Sequence, residues 1–431
     1  MKRLRVALGL AFIFAFALAA CTPTSDEADV NPKTVVVFLP SDNPGDIDLR
    51  RQQAEAFMQQ NPDIPVNVTV VPVEAYDQKI TTSVGGGASL DIFNTGEVIL
   101  PSLVSRNSVL DLNRFMEQED YSTAGFYPEV IDGLTVQGKL VGLADNWDTQ
   151  VMYYNRESFD DAGLEYPDET WDWNDFVDAA RELTSGSGGT EKVFGAIHEA
   201  WFAPLWDRIW SEGGEIFNED GTKCLLDQPD GARALQELAD LYEEDLSPSQ
   251  PELDQGQDPL QLFLAGRAAM WIGSGRWAAY DLRDAGNVDW AIAPMPAGSE
   301  GHPRANFFHL SLYAIASSSD SPGNAWEFLK FMVSPEGIEL GLQNMQGIPS
   351  REKVARSPEI TDDPFVKQHD AYEPFIESLD TVHAAPYLVR FDEAENAISA
   401  GLDPLWRGEQ TAEEATARIC DEVDQILAQE A

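Results

Sequence analysis

The side chains best placed to do chemistry in this sequence are tryptophans standing beside polar residues. There are eleven tryptophans. Trp147 sits in Ala144-Asp145-Asn146-Trp147-Asp148, Trp201 and Trp206 bracket Phe202-Ala203-Pro204, and Trp277 follows Gly273-Ser274-Gly275-Arg276. A sugar ring has apolar C–H faces and polar hydroxyl edges. An indole covers the first, and Asp, Glu, Asn or Arg hydrogen-bonds the second. The chemistry this pattern serves is reversible recognition. Trp171, Trp173, Trp290, Trp326 and Trp406 read as core or rim residues.

Bond-making chemistry is poorly served. The sequence has no G-x-S-x-G elbow, no G-x-x-x-x-G-K-[ST] loop and no H-E-x-x-H helix. Its five histidines form no ligand pair, and Gly85-Gly86-Gly87 reads as a helix C-cap and loop. The acidic pairs Asp160-Asp161, Glu243-Glu244 and Asp362-Asp363 read as solvated. No catalytic residue, metal or cofactor is expected.

The three cysteines divide into two kinds. Cys21 ends Leu18-Ala19-Ala20-Cys21, behind a basic start (Lys2, Arg3, Arg5) and the apolar run Val6–Leu18. That is a secretory signal peptide over residues 1–20, too short in its apolar part to span a membrane. A cysteine directly after the small residues fits a bacterial lipobox, in which the Cys21 thiol is lipidated and the chain is cut before it. The protein is then extracytoplasmic and anchored to the membrane by lipid. Residues 21–32 form a polar tether. Cys224 and Cys420 remain. An oxidising compartment favours a disulfide between them; two separate buried thiols are the other reading.

Charge and size narrow the partners. The 431 residues carry a formal charge of −46. Such a surface repels phosphate backbones, so no nucleic-acid partner is expected. A body of this length exceeds one compact core and calls for two or more domains. Strand-like Thr34–Leu39, Val66–Val71 and Asp91–Phe93 alternate with helical patterns at Asp46–Gln60 and Ala75–Val84. This alternation predicts βαβ units and an α/β fold with mostly parallel sheets. Further helices are expected at Trp173–Leu183, Ala232–Tyr242 and Asn324–Val333, and strands at Trp290–Ala293 and Leu310–Ile315. Thr411 and Glu414 stand at capping-box spacing before an apolar stripe (Ala415, Ile419, Val423).

Four segments carry a resemblance. They are Gly138-Lys139-Leu140-Val141-Gly142-Leu143 followed by Met152-Tyr153-Tyr154-Asn155-Arg156, Phe159, Ala162-Gly163-Leu164 and Thr170-Trp171-Asp172; then Phe263-Leu264-Ala265-Gly266-Arg267-Ala268-Ala269-Met270 with Gly275 and Trp277; then Ala293-Pro294-Met295-Pro296 with Ala325-Trp326-Glu327-Phe328; then Gly347-Ile348-Pro349-Ser350-Arg351. In this order, over nearly the whole mature chain, they resemble the extracellular solute-binding proteins (family 1) of ABC sugar importers, the family of maltodextrin- and oligosaccharide-binding proteins. Leu90 and Ala144 stand where that family often has proline.

The resemblance implies a two-lobed periplasmic-binding-protein fold of type II with a cleft between lobes. Lobe I would hold 33–144 and 295–345, and lobe II 145–294 and 346–431, with crossings near Ala144, Pro294 and Gly347. It implies capture of a carbohydrate, an oligosaccharide by preference, by lobe closure and delivery to ABC permease subunits. The same fold binding a polyamine, a polyol phosphate or a peptide is the alternative. A monomer is expected. For stacking, the sequence points to Trp147, Trp201 and Trp277. For hydroxyl contacts it points to Asn94, Glu97, Asp148 and Arg276, with Arg351 and the Asn306–His309 loop at the cleft edge. The Cys224–Cys420 bridge would staple the last helix to lobe II.

Overall fold

The computed structural model describes residues 34–40, 44–86, 90–186, 191–283, 288–342 and 345–429. The expected signal peptide, Cys21 and the expected tether lie outside the described residues.

Val35, Val37 and Leu39 are fully buried in a strand whose odd and even positions are both apolar. Such a strand needs cover on both faces, and helices supply it. Ten strands position the site: β1 (Val35–Pro40), β2 (Val66–Val71), β3 (Ile92–Thr95), β4 (Leu143–Asp148), β5 (Val151–Asn155), β6 (Phe194–His198), β7 (Ala268–Ser274), β8 (Trp290–Ala293), β9 (His309–Ile315) and β10 (Ile348–Pro349). They form a larger sheet of order β10-β4-β9-β3-β1-β2 and a smaller one of order β8-β5-β7-β6.

Helices α1 (Pro44–Gln60) and α2 (Val73–Gly86) return the chain from β1 to β2 and from β2 to β3, so β1 lies parallel to both. In the smaller sheet β6 and β7 are parallel. The other pairs in both sheets, β3-β9, β9-β4, β4-β10, β8-β5 and β5-β7, are antiparallel. The sheets are therefore mixed, and the expected parallel majority does not hold. The cause is topological: β4 and β9 sit in the larger sheet but connect directly to the smaller one, so no crossover helix fixes their direction.

The passages between sheets also fall later than the sequence suggested. β4 stays in the larger sheet to Asp148, which puts the first passage at Thr149-Gln150 instead of Ala144. Ala305 and Phe307 still pack in the core beside the smaller sheet, so the second passage is at Phe308 instead of Pro294. Beyond Gly347, β10 pairs with β4 and Val354 packs on Leu49 of α1. The chain is back on the smaller sheet where Phe365 and His369 pack on Trp290, ring centroids 5.6 and 4.2 Å away.

Aromatic residues fill both cores. Trp326 is fully buried between Phe115 and Tyr121, and Trp206 packs among Phe202, Trp210, Phe217 and Phe391. Cys224 and Cys420 are joined in a disulfide across 196 residues of chain. The bond ties the terminal helix Ala412–Leu427, which begins with the Thr411–Glu414 capping box, to the segment ahead of Pro229–Glu243.

Candidate functional site

Side chains alternate across a strand, so Asn146 and Asp148 of β4 share one face and Trp147 takes the other. On β9, His309 pairs with Asp148 and Ser311 with Asn146. These polar pairs meet the ends of β1 and β3, at Pro40 and Asn94-Thr95, and the first turn of α1, which carries Asp46. Together with Glu97, Gln346, Gly347 and Trp277 they line a cavity of about 360 Å³. It lies beyond the carboxyl ends of β1 and β3, where open α/β sheets bind ligands.

One wall is aromatic. The His309 ring stands between two indoles, 5.9 Å from Trp201 at 32° and 5.7 Å from Trp277 at 81°. Both tryptophans are partly exposed. His309 Nδ1 lies 2.9 Å from Glu97 Oε1 and its Nε2 lies 2.8 Å from the Gln150 amide nitrogen. The ring thus bridges the Glu97 carboxylate and the Gln150 amide. Gln150 belongs to the first passage between sheets, so the wall is anchored where the lobes join.

The opposite side is polar. Asn94 donates to the Leu312 carbonyl at 3.2 Å, and its own carbonyl accepts the Tyr76 hydroxyl at 2.8 Å. Asp148 accepts the Thr149 N–H at 2.8 Å and the Arg276 N–H at 3.0 Å. Burial pushes its carboxyl up to about 7, against the pull of those two backbone donors. Beneath the cavity Arg50 is fully buried and joins Asp46 at 2.7 Å to Asp145 at 2.6 Å. Burial raises the Asp145 carboxyl, and the adjacent guanidinium opposes that rise.

Of the residues named from sequence, Asn94, Glu97, Asp148 and Trp277 line this cavity, and Trp201 joins its wall through His309. Trp147 does not. It is fully buried, packed on Tyr127 and Phe308 at 5.9 and 5.6 Å. The polar run around it reads as a loop but is strand β4, and the strand's alternation turns the indole into the core. Arg276 is buried as well. Its guanidinium donates to the Met345 and Gly347 carbonyls at 2.5 and 2.8 Å, tying the helix Arg276–Leu282 to the segment just ahead of β10. Arg351 lies over the Phe126 ring at 3.5 Å and donates to the Val333 carbonyl and the Tyr121 hydroxyl, away from the cavity. In Asn306–His309 the first three residues are buried in or beside strands, and only His309 faces the cavity.

Sequence reasoning missed Asp46, Asn146, Ser311 and Gln346. Asp46 had a signal: an acidic residue in the first turn of a helix that follows a buried strand. Asn146 and Ser311 had none beyond register, because only the pairing of β4 with β9 brings them together.

Two sheets joined by three passages, with a polar and aromatic cleft between them, define a two-lobed binding protein. The chain belongs to the bacterial extracellular solute-binding protein family, whose model matches residues 47–339. A binding protein of Brucella abortus is 24% identical over 375 residues, 86% of this chain and 88% of that one. A galactooligosaccharide-binding protein of Bacillus subtilis is 22% identical over 425 residues, 93% of this chain and 94% of that one. Among solved structures, an ABC substrate-binding protein of Listeria monocytogenes in complex with cycloalternan superposes with a TM-score of 0.80 at 24% identity, over 92% of this chain and 99% of that one.

Proposed function

We propose that this protein captures a carbohydrate, an oligosaccharide by preference, and delivers it to an ABC permease without covalent chemistry. The observation that carries the reading is a single cavity in which Trp277 and His309 offer ring faces and Asn94, Glu97, Asn146, Asp148 and Ser311 offer hydrogen-bonding groups. A sugar fills both halves of that description: its C–H faces cover the rings and its hydroxyls reach the polar side. The relatives that bind oligosaccharides support the same solute class.

Capture works by closure. Sugar docks on one lobe, and the second rotates over it about the passages at Thr149-Gln150, Phe308 and the segment after β10. Closure is favoured only by the contacts that the closed state adds. Cys21 carries the lipid that holds the body near its permease, at high effective concentration. The body acts as a monomer and has no catalytic role.

A cationic solute such as a polyamine is the second reading. It is favoured by Asp46, Glu97 and Asp148 in a lining that, among the described residues, includes no Lys or Arg. The same lining argues against a polyol phosphate. A thermal-shift screen of the soluble body against a sugar panel, polyamines and polyol phosphates separates the readings. A ligand at one hundred times its Kd adds about 2.7 kcal/mol of stability. A rise with one oligosaccharide class supports the first reading, and a rise with polyamines alone replaces it.

A further inference from the structure

A second cavity, of about 420 Å³, opens where elements of the two bodies meet. Gln52 of α1 and Leu342, which packs with Leu49 of α1, line it from the larger-sheet side. Ile360 and Val366 line it from the segment that returns the chain to the smaller sheet, and Arg276 and Arg283 from the helix that follows β7. The two arginines stand two helical turns apart, so they share one face of that helix as well as one cavity.

Arg276 is the unusual group. It is 8% exposed, yet the hydrogen bonds that its guanidinium makes among the described residues both leave from Nη1, and both go to carbonyls. The nearby Asp148 carboxylate takes the Arg276 backbone N–H instead. A buried positive charge held by neutral acceptors lacks the counter-charge that such groups ordinarily have. Burial pulls the Arg276 guanidinium down from its usual range, Tyr372 and Asp148 oppose this, and the Arg283 guanidinium adds to it. Arg283 lies over the Phe365 ring at 5.0 Å, so its own stem is seated on the cavity's rim of apolar residues.

Three carboxylates also line this space, and none of them takes a hydrogen bond from the Arg276 guanidinium. Asp363 is spent as a helix N-cap, its Oδ1 accepting the Phe365 and Val366 N–H groups at 2.8 and 3.3 Å. Glu339 and Glu359 are exposed. Water and salt screen these two, as they screen the rest of the acidic surface, far more than they screen a buried guanidinium.

We propose that this cavity is a binding site for a small oxyanion, which Arg276 and Arg283 hold together, and that its occupancy tightens binding in the cleft. The planar guanidinium fork suits a phosphate or a carboxylate group. The coupling has a physical route. Met345, Gln346 and Gly347 line the first cavity, and Arg276 holds the carbonyls of Met345 and Gly347 while lining the second. An anion on the remaining nitrogens of Arg276 fixes that side chain, and with it the stretch of chain that faces the sugar. The coupling rests on the carbohydrate reading of the cleft; the anion site does not.

The test titrates phosphate, sulfate and malonate into the soluble body at constant ionic strength, set with sodium chloride, and follows both Tm and calorimetric heat. Wild type should show a saturable rise with at least one of the three, at a Kd below roughly 10 mM. Arg283→Gln and Arg276→Gln should each weaken it at least about fivefold, with circular dichroism showing that both variants fold. Arg283→Gln covers the case in which Arg276→Gln does not fold. A rise that never saturates and is the same in the variants is general salt exclusion and overturns the site. A saturable rise untouched by Arg283→Gln places the anion elsewhere and overturns it too. With the screened oligosaccharide, a saturating anion should tighten sugar binding at least about threefold in wild type and not in Arg283→Gln, and the sugar should tighten the anion by the same factor. An anion that binds without changing sugar affinity overturns the coupling alone. If no carbohydrate binds, the reading of the cleft has failed, and the anion titration still decides the site.

Discussion

Both carboxylate oxygens of Asp148 lie 3.0 Å from the backbone N–H of Arg276. Asp148 ends a strand of the larger sheet, and Arg276 opens a helix that follows β7 of the smaller sheet. One hydrogen-bonded residue pair therefore links the two bodies at the rim of the cavity. The Arg276 guanidinium extends the same link to the segment just ahead of β10.

The pH dependence of stability should report the burial of this carboxyl, which the link to Arg276 offsets only in part. The folded carboxyl of Asp148 is raised to about 7, above its unfolded value near 4. The folded state then holds the proton more tightly, so the contribution is full below about pH 4 and is lost as pH rises through about 7. Asp148→Asn should remove that part of the decline, of order a few kcal/mol, and leave a flatter Tm profile between pH 5 and 8. Parallel profiles for wild type and variant would show that Asp148 does not carry the dependence.

Gly275→Ala should disturb the same corner. A Cβ there would lie 2.4 Å from the Trp277 ring, 2.8 Å from Asp148 Oδ1 and 2.8 Å from the Thr149 carbonyl. The indole must shift, so ligand affinity should fall at least tenfold in calorimetry, while the circular dichroism spectrum stays that of the wild type.

Trp147→Ala separates core from site. The side chain is fully buried between Tyr127 and Phe308, so truncation should cost about 3–5 kcal/mol in denaturant unfolding. Ligand affinity of the folded fraction should change less than threefold, because the indole does not line the cavity.

The disulfide is a fourth handle. Closing so long a loop contributes roughly 5 kcal/mol in the chain-entropy picture, as an upper figure. The pair Cys224→Ser/Cys420→Ser should unfold at lower denaturant concentration. Because Cys420 lies on the terminal helix and not at the cavity, affinity at 25 °C should be retained.

Much of this architecture is legible in the residues. Trp173–Leu183 and Trp290–Ala293 form at the expected bounds because an N-cap Asp172 with an amphipathic stripe, and a short apolar run stopped by Pro294, are local signals. The capping box at Thr411 is local in the same way. β4 was hidden because it is polar. Its Asp145 is paired with Arg50 from α1, and its Asp148 with the Arg276 N–H, so a sequence rich in Asp and Asn is buried as strand. That concealment misplaced Trp147, the first passage and the direction of the sheet together. Glu97 and Trp277, just beyond strand ends, and Asn94, in the last residues of β3, come to line the cavity. The Asn146–Ser311 pair was not legible, since register is a property of two strands.

The most direct test is an equilibrium titration of the screened oligosaccharide into wild type and Trp277→Ala, with Trp147→Ala alongside as the core control. The cavity described here predicts that Trp277→Ala loses at least a roughly tenfold share of affinity, about 1.4 kcal/mol, while Trp147→Ala binds as wild type does. Unchanged affinity in Trp277→Ala would place the sugar elsewhere and contradict the account.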